Sequence, residues 1–218
     1  DATNDRLDQE FMFINQVQYN MDAFLMLVGA FISDGWIDNG KKHRRIAISM
    51  KKERKKNFIQ SALENLNIHF NMRPDRILIG NSYKELVDFF DILSVGAEGL
   101  PQFVWQLSQR QSTILMNALL QGDGSYNNNG SAGYYTSSKQ LADDVQRLAL
   151  HCGWSGTIKP GSHEAGSTSV MRDGRIITAN YDALTVRIIK KKNNPQVNHG
   201  HVHQQHRQTE EYIRYTGQ

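Results

Sequence analysis

Two stretches of the sequence end in aspartate followed by glycine: LVGAFISDG at 27–35 and MNALLQGDG at 116–124. They superimpose without a gap, so Asp34 and Asp123 stand at equivalent positions, each preceded by a small residue, Ser33 or Gly122. Each carboxylate closes an apolar helical run, where the backbone dipole is negative and a further anion is unfavourable. Gly29 and Ser33 are spaced i, i+4, as are Ala118 and Gly122, and residues so spaced share a helix face. Small residues on such a face let two helix backbones approach closely, as they do in membrane helix pairs. Packing the runs along these faces sets Asp34 beside Asp123 across a pseudo-twofold axis. A divalent cation relieves two such carboxylates. Oxygen ligands suit magnesium, which is held by one or two carboxylates while phosphate and water complete its shell. One Asp-Gly alone is an ordinary helix stop. Two of them, with the same small-residue spacing and the same sequel, point to a site.

The elements that must position these residues follow from periodicity. Residues 24–35 are apolar almost all round until Ser33, as in a helix enclosed by core, and 114–124 repeat the pattern. Both end in Asp-Gly, with glycine free to take positive φ. Asn39-Gly40 and Asn129-Gly130 come next, and Asn-Gly favours a two-residue type I′ hairpin turn. Return strands are expected at 44–50 and 132–137, then amphipathic helices at 57–66 and 139–151. Further strands are expected at 76–79, 156–159, 167–171, 175–179 and 183–190, with a turn at 172–175. A helix at 83–93 closes the first half. The unit αββαββα thus occurs nearly twice. This is an α+β chain of two pseudo-symmetric repeats joined through their motif helices. The expected organisation is an N-terminal extension at 1–20, a first subdomain at 21–97, a second at 98–192 and a polar extension at 193–218.

Composition narrows the function classes. The chain has 218 residues, and 25 basic against 22 acidic side chains leave it at only +3. The basic residues are clustered, though: Lys41, Lys42, Arg44, Arg45, Lys51, Lys52, Arg54, Lys55 and Lys56 face one acid, Glu53, and Arg187 with Lys190, Lys191 and Lys192 form a second run. Basic stripes on a near-neutral protein suggest one surface turned to a polyanion. No apolar run approaches the roughly 20 residues of a membrane span, and the acidic start DATNDRLDQE is no secretory signal. An intracellular protein with no membrane partner is expected. The single cysteine, Cys152, excludes an internal disulfide framework and is read as core. His199, His201, His203 and His206 lie in the polar tail. That tail reads as a connector in preference to an imidazole metal site.

With these residues in view, the chain resembles the LAGLIDADG homing endonucleases in their two-motif, monomeric form. LVGAFISDG keeps Leu27, Gly29, Asp34 and Gly35 of the motif. MNALLQGDG keeps Leu119, Asp123 and Gly124, with Ala118 in the central glycine slot. The stretches GLPQFVWQLS and YYTSSKQLADDVQRLALHCGW around the second motif resemble endonucleases embedded in inteins, and the tail EEYIRYTGQ resembles a return into a splicing domain. Splicing residues are absent from both ends, so a missing splicing domain is expected.

The resemblance implies β-sheets forming a DNA-binding saddle and a staggered double-strand break in a long specific site of double-stranded DNA. It implies a Mg2+ cofactor, with Mn2+ able to substitute and Ca2+ able to bind without supporting cleavage. Asp34 and Asp123 would be catalytic metal ligands, one for each strand, with the carbonyls of Ser33 and Gly122 adding oxygens. A basic residue would serve each half: Lys84 in the first, and Lys190, with Lys191 and Lys192 as rivals, in the second. Hairpin side chains would read the DNA, since a two-stranded ribbon fits the major groove. The candidates are Lys41, Lys42, Arg44, Arg45 and Lys51, then Asn127, Asn128, Tyr134 and Thr136, then Arg172 and Arg175. The alternative is a non-catalytic nucleic-acid binder on the same fold, an RNA maturase or a transcription regulator.

Overall fold

The computed structural model describes residues 6–40, 43–50, 53–96, 99–127, 130–171 and 174–190. In chain order the elements are β1 (Phe11–Ile14), β2 (Val17–Asn20), α1 (Met21–Asp34), β3 (Gly35–Asn39), β4 (Arg44–Ser49), α2 (Glu53–Asn65), β5 (Phe70–Met72), β6 (Arg76–Ile79), α3 (Lys84–Gly96), α4 (Gln109–Asp123), β7 (Gly124–Tyr126), β8 (Ser131–Thr136), α5 (Lys139–His151), β9 (Ser155–Pro160), β10 (Thr168–Val170), β11 (Ile176–Thr178) and β12 (Leu184–Ile189). Short 3-10 turns at Asn81–Tyr83 and Gln102–Gln106 precede α3 and α4.

α1 and α4 pack on each other more extensively than any other pair of elements. Both are capped by a side chain. Asn20 accepts from the Ala23 amide at 3.0 Å, and Ser108 accepts from the Gln111 amide at 3.1 Å. The small-residue faces meet as the spacing predicts. A Cβ on Gly29 would fall on the Cβ of Ala118 and stand 3.1 Å from the Leu119 nitrogen. One turn further on, a Cβ on Gly122 would overlap the Ser33 side chain.

The two four-stranded sheets are antiparallel throughout, in the orders β3-β4-β6-β5 and β7-β8-β12-β9. These are one topology used twice, with β9 and β12 standing for β5 and β6. The separate ribbon β10-β11 is inserted between them. The fold is therefore α+β: one αββαββα repeat and a second whose described residues run αββαββ apart from the ribbon, joined through their motif helices. The place of the second closing helix falls outside the described residues. Phe24 and Phe31 of α1 meet Phe89 and Phe90 of α3 at ring separations of 5.5 and 4.7 Å, which seals the first half's core.

Three local expectations are corrected. Gly35 and Gly124 take extended φ of −95° and −113°, not positive φ. Glycine is needed there for room: a Cβ would stand 2.6 Å from the Phe31 carbonyl oxygen and 2.5 Å from that of Leu120. Asn39 and Gly40 do not form the turn, because Asn39 is still in β3 and Gly40 and His43 hydrogen-bond to each other in both directions. Around Gly130 (φ +79°) the loop between Asn127 and Ser131 has three residues, not two. β5 and the hairpin β1-β2 carry little alternation and escaped the sequence reading.

The N-terminal segment straps the two motif helices together. Asp8 binds Ser108 and Arg110, while the Arg110 guanidinium also donates to both oxygens of Asp22 at 2.6 and 2.9 Å. The Gln111 side chain exchanges hydrogen bonds with the Gln9 backbone. The linker between the halves is gripped by buried Asp144, which accepts from the Leu100 amide at 2.8 Å.

Gly29→Ala is expected to destabilise the protein by about 1–3 kcal/mol through overpacking, and Ala118→Gly in the same chain should recover part of the loss. Urea denaturation midpoints of the three variants check this; independent, additive losses would contradict the helix contact.

Candidate functional site

The site begins where α1 and α4 end. Ser33 of one helix fills the space above Gly122 of the other, so Asp34 and Asp123, one residue further along each chain, flank the point of closest approach. Both aspartates are half-buried. Each strand that follows leaves directly from its carboxylate, which puts both groups at the junction of helices and sheets.

Lys55 is the basic residue that reaches this junction. Its ammonium forms an ion pair with the Asp34 carboxylate, and its side chain is only 12% exposed. α2 carries it there because α2 packs on α1 and α4. Ile59, Ala62 and Leu63 are the buried face of α2, and Lys55 lies one turn before Ile59 on that face. Phe58, Gln121 and Gly122 line the same small cleft. Sequence reasoning missed Lys55 among its basic neighbours, although the i, i+4 spacing to Ile59 was a usable signal. α5 has Leu141 at the corresponding place. Lys84 is exposed in the first turn of α3, and α3 packs on β3, β4 and β1 and sets Phe89 and Phe90 against Phe24 and Phe31 of α1. The structure thus brings Lys55 to Asp34 in place of Lys84.

Lys190 sits at the end of β12. Its ammonium donates to Asn117 Oδ1 at 3.2 Å and lies 5.0 and 4.7 Å from the ring centres of Tyr126 and Trp154. Burial holds its pKa below the usual lysine range, with the Cys152 thiol pulling weakly the other way. Burial also pushes Cys152 up to about 12, so the thiol stays protonated and serves as core.

Strand register corrects the surface set by one residue. Tyr134 is 1% exposed, directly opposite Gly124. It points inward, toward the aspartates. Burial raises its pKa above the usual phenol value, and the charges of Asp123 and Asp34 raise it further. Thr136 has the same strand parity and uses its hydroxyl to accept from the Ser138 amide at 3.1 Å. The outward residue between them is Tyr135, 49% exposed, whose hydroxyl meets that of Ser125 at 2.8 Å. A one-residue shift moves a strand's whole set to the other face. Beside Tyr135 in register stand Thr185 and Lys159, and beside Gly133 stand Arg187 and Thr157.

The first sheet shows the same division. Arg45 is on the outer face, paired with Asp38 at 2.8 Å. There Arg76 lies 5.7 Å over the Trp36 ring. Arg44 is turned to α3, where it pairs with Asp88 at 2.9 Å and with Asp91, so it is not a free reading residue. Asn127 donates to Ser131 Oγ at 3.0 Å inside its own loop. Arg175 is exposed at the start of the β11 arm. Lys41, Lys42, Lys51, Asn128, Arg172, Lys191, Lys192 and the tail histidines lie outside the described residues.

Among the described residues no three His, Cys, Asp or Glu side chains gather as a metal cluster. An ion at this junction would take carboxylate oxygen from Asp34 and Asp123 and the rest of its shell from elsewhere. That all-oxygen, two-carboxylate set fits magnesium with phosphate and water better than it fits the Cys- and His-rich sets typical of zinc. No helix among the described residues is long and apolar enough to cross a membrane.

Comparison with known proteins accords with this geometry. The model of the LAGLIDADG-like domain matches residues 22–91 and 112–194, one segment for each repeat. The chain belongs to the LAGLIDADG-like family. Each matched segment of this LAGLIDADG-like chain contains one motif helix and its aspartate. Two solved structures of the homing endonuclease I-DmoI have the same fold. A variant of I-DmoI in complex with its target DNA matches with a TM-score of 0.51 at 17% identity, covering 78% of this chain and 87% of that one. I-DmoI with DNA and manganese matches at 0.50 and 16%, covering 78% and 90%. By sequence, the chain is 31% identical over 228 residues to the C-terminal section of DNA-directed RNA polymerase subunit beta of Stigeoclonium helveticum. It is also 31% identical over 156 residues to an ATP-dependent Clp protease proteolytic subunit of Chlamydomonas moewusii. The match covers 84% and 66% of this chain but only 20% and 15% of those relatives.

The buried phenol makes stability depend on alkaline pH. Tyr134 ionises less readily folded than unfolded, so its contribution is complete below the unfolded value of about 10 and is lost as pH rises toward the higher folded value. Wild type should therefore lose more stability between pH 8 and 11 than Tyr134→Phe does, as read by denaturant melts at each pH.

Proposed function

We propose that the chain is a site-specific homing endonuclease that makes a staggered double-strand break in DNA by metal-dependent phosphodiester hydrolysis. The observation that carries this reading is the pairing of Asp34 and Asp123 at abutting helix ends, beneath two sheets of identical topology. One carboxylate per half matches one scissile phosphate per strand, which two motifs in one chain supply to a monomer. Asp34 and Asp123 would hold magnesium, with the carbonyls of Ser33 and Gly122 as further oxygens. When bound, it supplies charge to activate water and to stabilise the attacking and leaving oxygens of an in-line displacement. Lys55, ion-paired to Asp34 in the protein alone, is placed to turn to the phosphate once the carboxylate is engaged. There its charge offsets that of the transition state. Lys190, held by Asn117 and two aromatic rings, is the basic residue of the second half. Arg45, Arg76, Tyr135, Lys159 and Arg187 lie on outward sheet faces, and they would position the duplex and read it, with Arg175 on the ribbon.

Homologous segments occur within a polymerase subunit and a protease subunit, two proteins of unrelated activity, and occupy a fifth or less of each. That distribution supports a mobile insert of intein origin. The presence of DNA and manganese with I-DmoI supports the partner and cofactor classes.

Cleavage of a randomised duplex library with magnesium, with the cut ends sequenced, should recover one long, partly degenerate site. On that duplex Asp34→Asn and Asp123→Asn should each bind but cut only one strand. A single-aspartate variant that still cuts both strands would refute the assignment, and tight binding with no cutting would favour the maturase or regulator reading. Lys55→Met should lower the cutting rate about a hundredfold, whereas Lys84→Met should stay within about twofold of wild type. The reverse order would return Lys84 to the site.

A further inference from the structure

The two halves differ in how their last two sheet strands are joined. In the first half β5 turns directly into β6, and the Arg73 amide donates to the Arg76 carbonyl at 2.8 Å. In the second half the ribbon β10-β11 intervenes between β9 and β12. Backbone hydrogen bonds carry the ladder outward from the sheet. The Gly161 amide donates to Ala183 at 2.7 Å and the Ala183 amide to His163 at 2.9 Å; further out, Gly166 donates to Ala179 at 2.8 Å and Ala179 to Ser167 at 2.9 Å. Asp182 pins the base by accepting from the Ala165 amide at 2.8 Å. The ribbon is therefore a braced arm of the second sheet. It packs extensively on no element but itself, and every residue of its two strands is exposed.

One face of the arm is apolar at its outer end. Val170 and Ile176 stand directly opposite each other, 73% and 71% exposed, and Thr168 and Thr178 are the next pair on that face. All four side chains are β-branched and stiff at χ1, so docking them orders little. Exposed apolar residues on an unpaired ribbon invite aggregation, and their presence calls for a use. Two apolar side chains are too few for a stable protein interface, which buries about 800 Å² on each partner. They match the scale of single methyl groups. The sequence places Arg172 and Arg175, with one acid, Asp173, between the two strands, and that balance favours a polyanion. The arm also continues β9 and β12, the strands that carry Lys159 and Arg187. Two strands about 4.8 Å apart fit a major groove about 12 Å wide, where the apolar feature a base presents is the 5-methyl group of thymine.

We propose that the arm is a specificity element: Val170 and Ile176 recognise thymine by its 5-methyl group, in one half of the DNA site only. This rests on the endonuclease reading above and deepens it, by naming a chemical group that the substrate must carry. The first half has a tight turn where the second has the arm, so the methyl requirement falls on one side of the cut.

The test uses the full chain and the duplex recovered by selection, with each thymine in turn replaced by deoxyuridine. That exchange removes the methyl group and leaves every hydrogen-bonding atom of the base in place. One or two positions, all on one side of the cut, should lose about fourfold in affinity each, as read by equilibrium binding without magnesium. Val170→Ser combined with Ile176→Ser should weaken binding to the thymine duplex by a comparable factor and erase the difference between thymine and deoxyuridine at those positions. Ile92→Ser, at an apolar residue of α3 that is also 73% exposed, should leave the affinity within about twofold. No sensitive thymine, sensitive thymines spread evenly over both halves, or a deoxyuridine penalty that survives in the serine variant would overturn the proposal. The endonuclease reading would then still stand, because cutting is scored separately on the same duplex. Sedimentation of the wild type as a dimer that the serine variant dissolves would assign the face to a second copy of the chain and overturn the proposal too. The deoxyuridine series on the wild type carries the test if the serine variant does not fold. A wild-type protein that cuts no duplex overturns the endonuclease reading itself, and this one with it.

Discussion

The approach of α1 to α4 at Gly29–Ala118 and Ser33–Gly122 is the constraint on which the other distances depend. Two helices bearing larger residues at these positions would stand apart, and their terminal aspartates with them. The close approach has a local consequence that sequence patterns hide. Each strand must leave its helix end directly under the preceding turn, so the glycines after the aspartates serve space and not backbone handedness. The strap from Asp8 and Gln9 to Arg110 and Gln111 holds the opposite ends of the helix pair, and Asp144 grips the linker. The pair is thus held at both ends and along its length.

This packing also creates the electrostatic problem that the site must solve. Two half-buried carboxylates lie at the negative ends of two helices. In the protein alone, Lys55 answers for Asp34. A cation held by Asp34 and Asp123 would take over that role and leave the lysine free for another anion. Tyr134 faces both charges as a neutral phenol whose ionisation they oppose. It therefore stays neutral across the usual pH range and adds nothing to the negative charge.

The outward faces of the sheets carry Arg45, Arg76, Lys159 and Arg187 with Trp36 and Tyr135 among them. Other polar residues nearby are turned elsewhere. Arg44 is spent on Asp88 and Asp91 of α3, and Asn127 closes its own loop. A basic sequence run is therefore divided among the outward sheet face, the anchoring of a helix and the pairing with Asp34. Lys55, Arg44 and Arg45 do three different things within one run.

The sequence by itself determined the repeat, the motif helices, the pairing of the aspartates and the αββαββα order, because each rests on local spacing: i, i+4 small residues, apolar periodicity and Asp-Gly ends. It also located α5, β6 and the strands of the second sheet within a residue or two. Only the tertiary structure decided which lysine meets Asp34, because that depends on how α2 lies across two helices far from it in sequence. It also decided the face of β8, since Tyr134 and Tyr135 are adjacent aromatic residues and one step of register exchanges inside for outside. The turns shifted for a related reason: hairpin geometry is fixed by strand pairing on both sides, not by the Asn-Gly pair alone. Local patterns fix the elements, and long-range packing fixes which side chains they bring together.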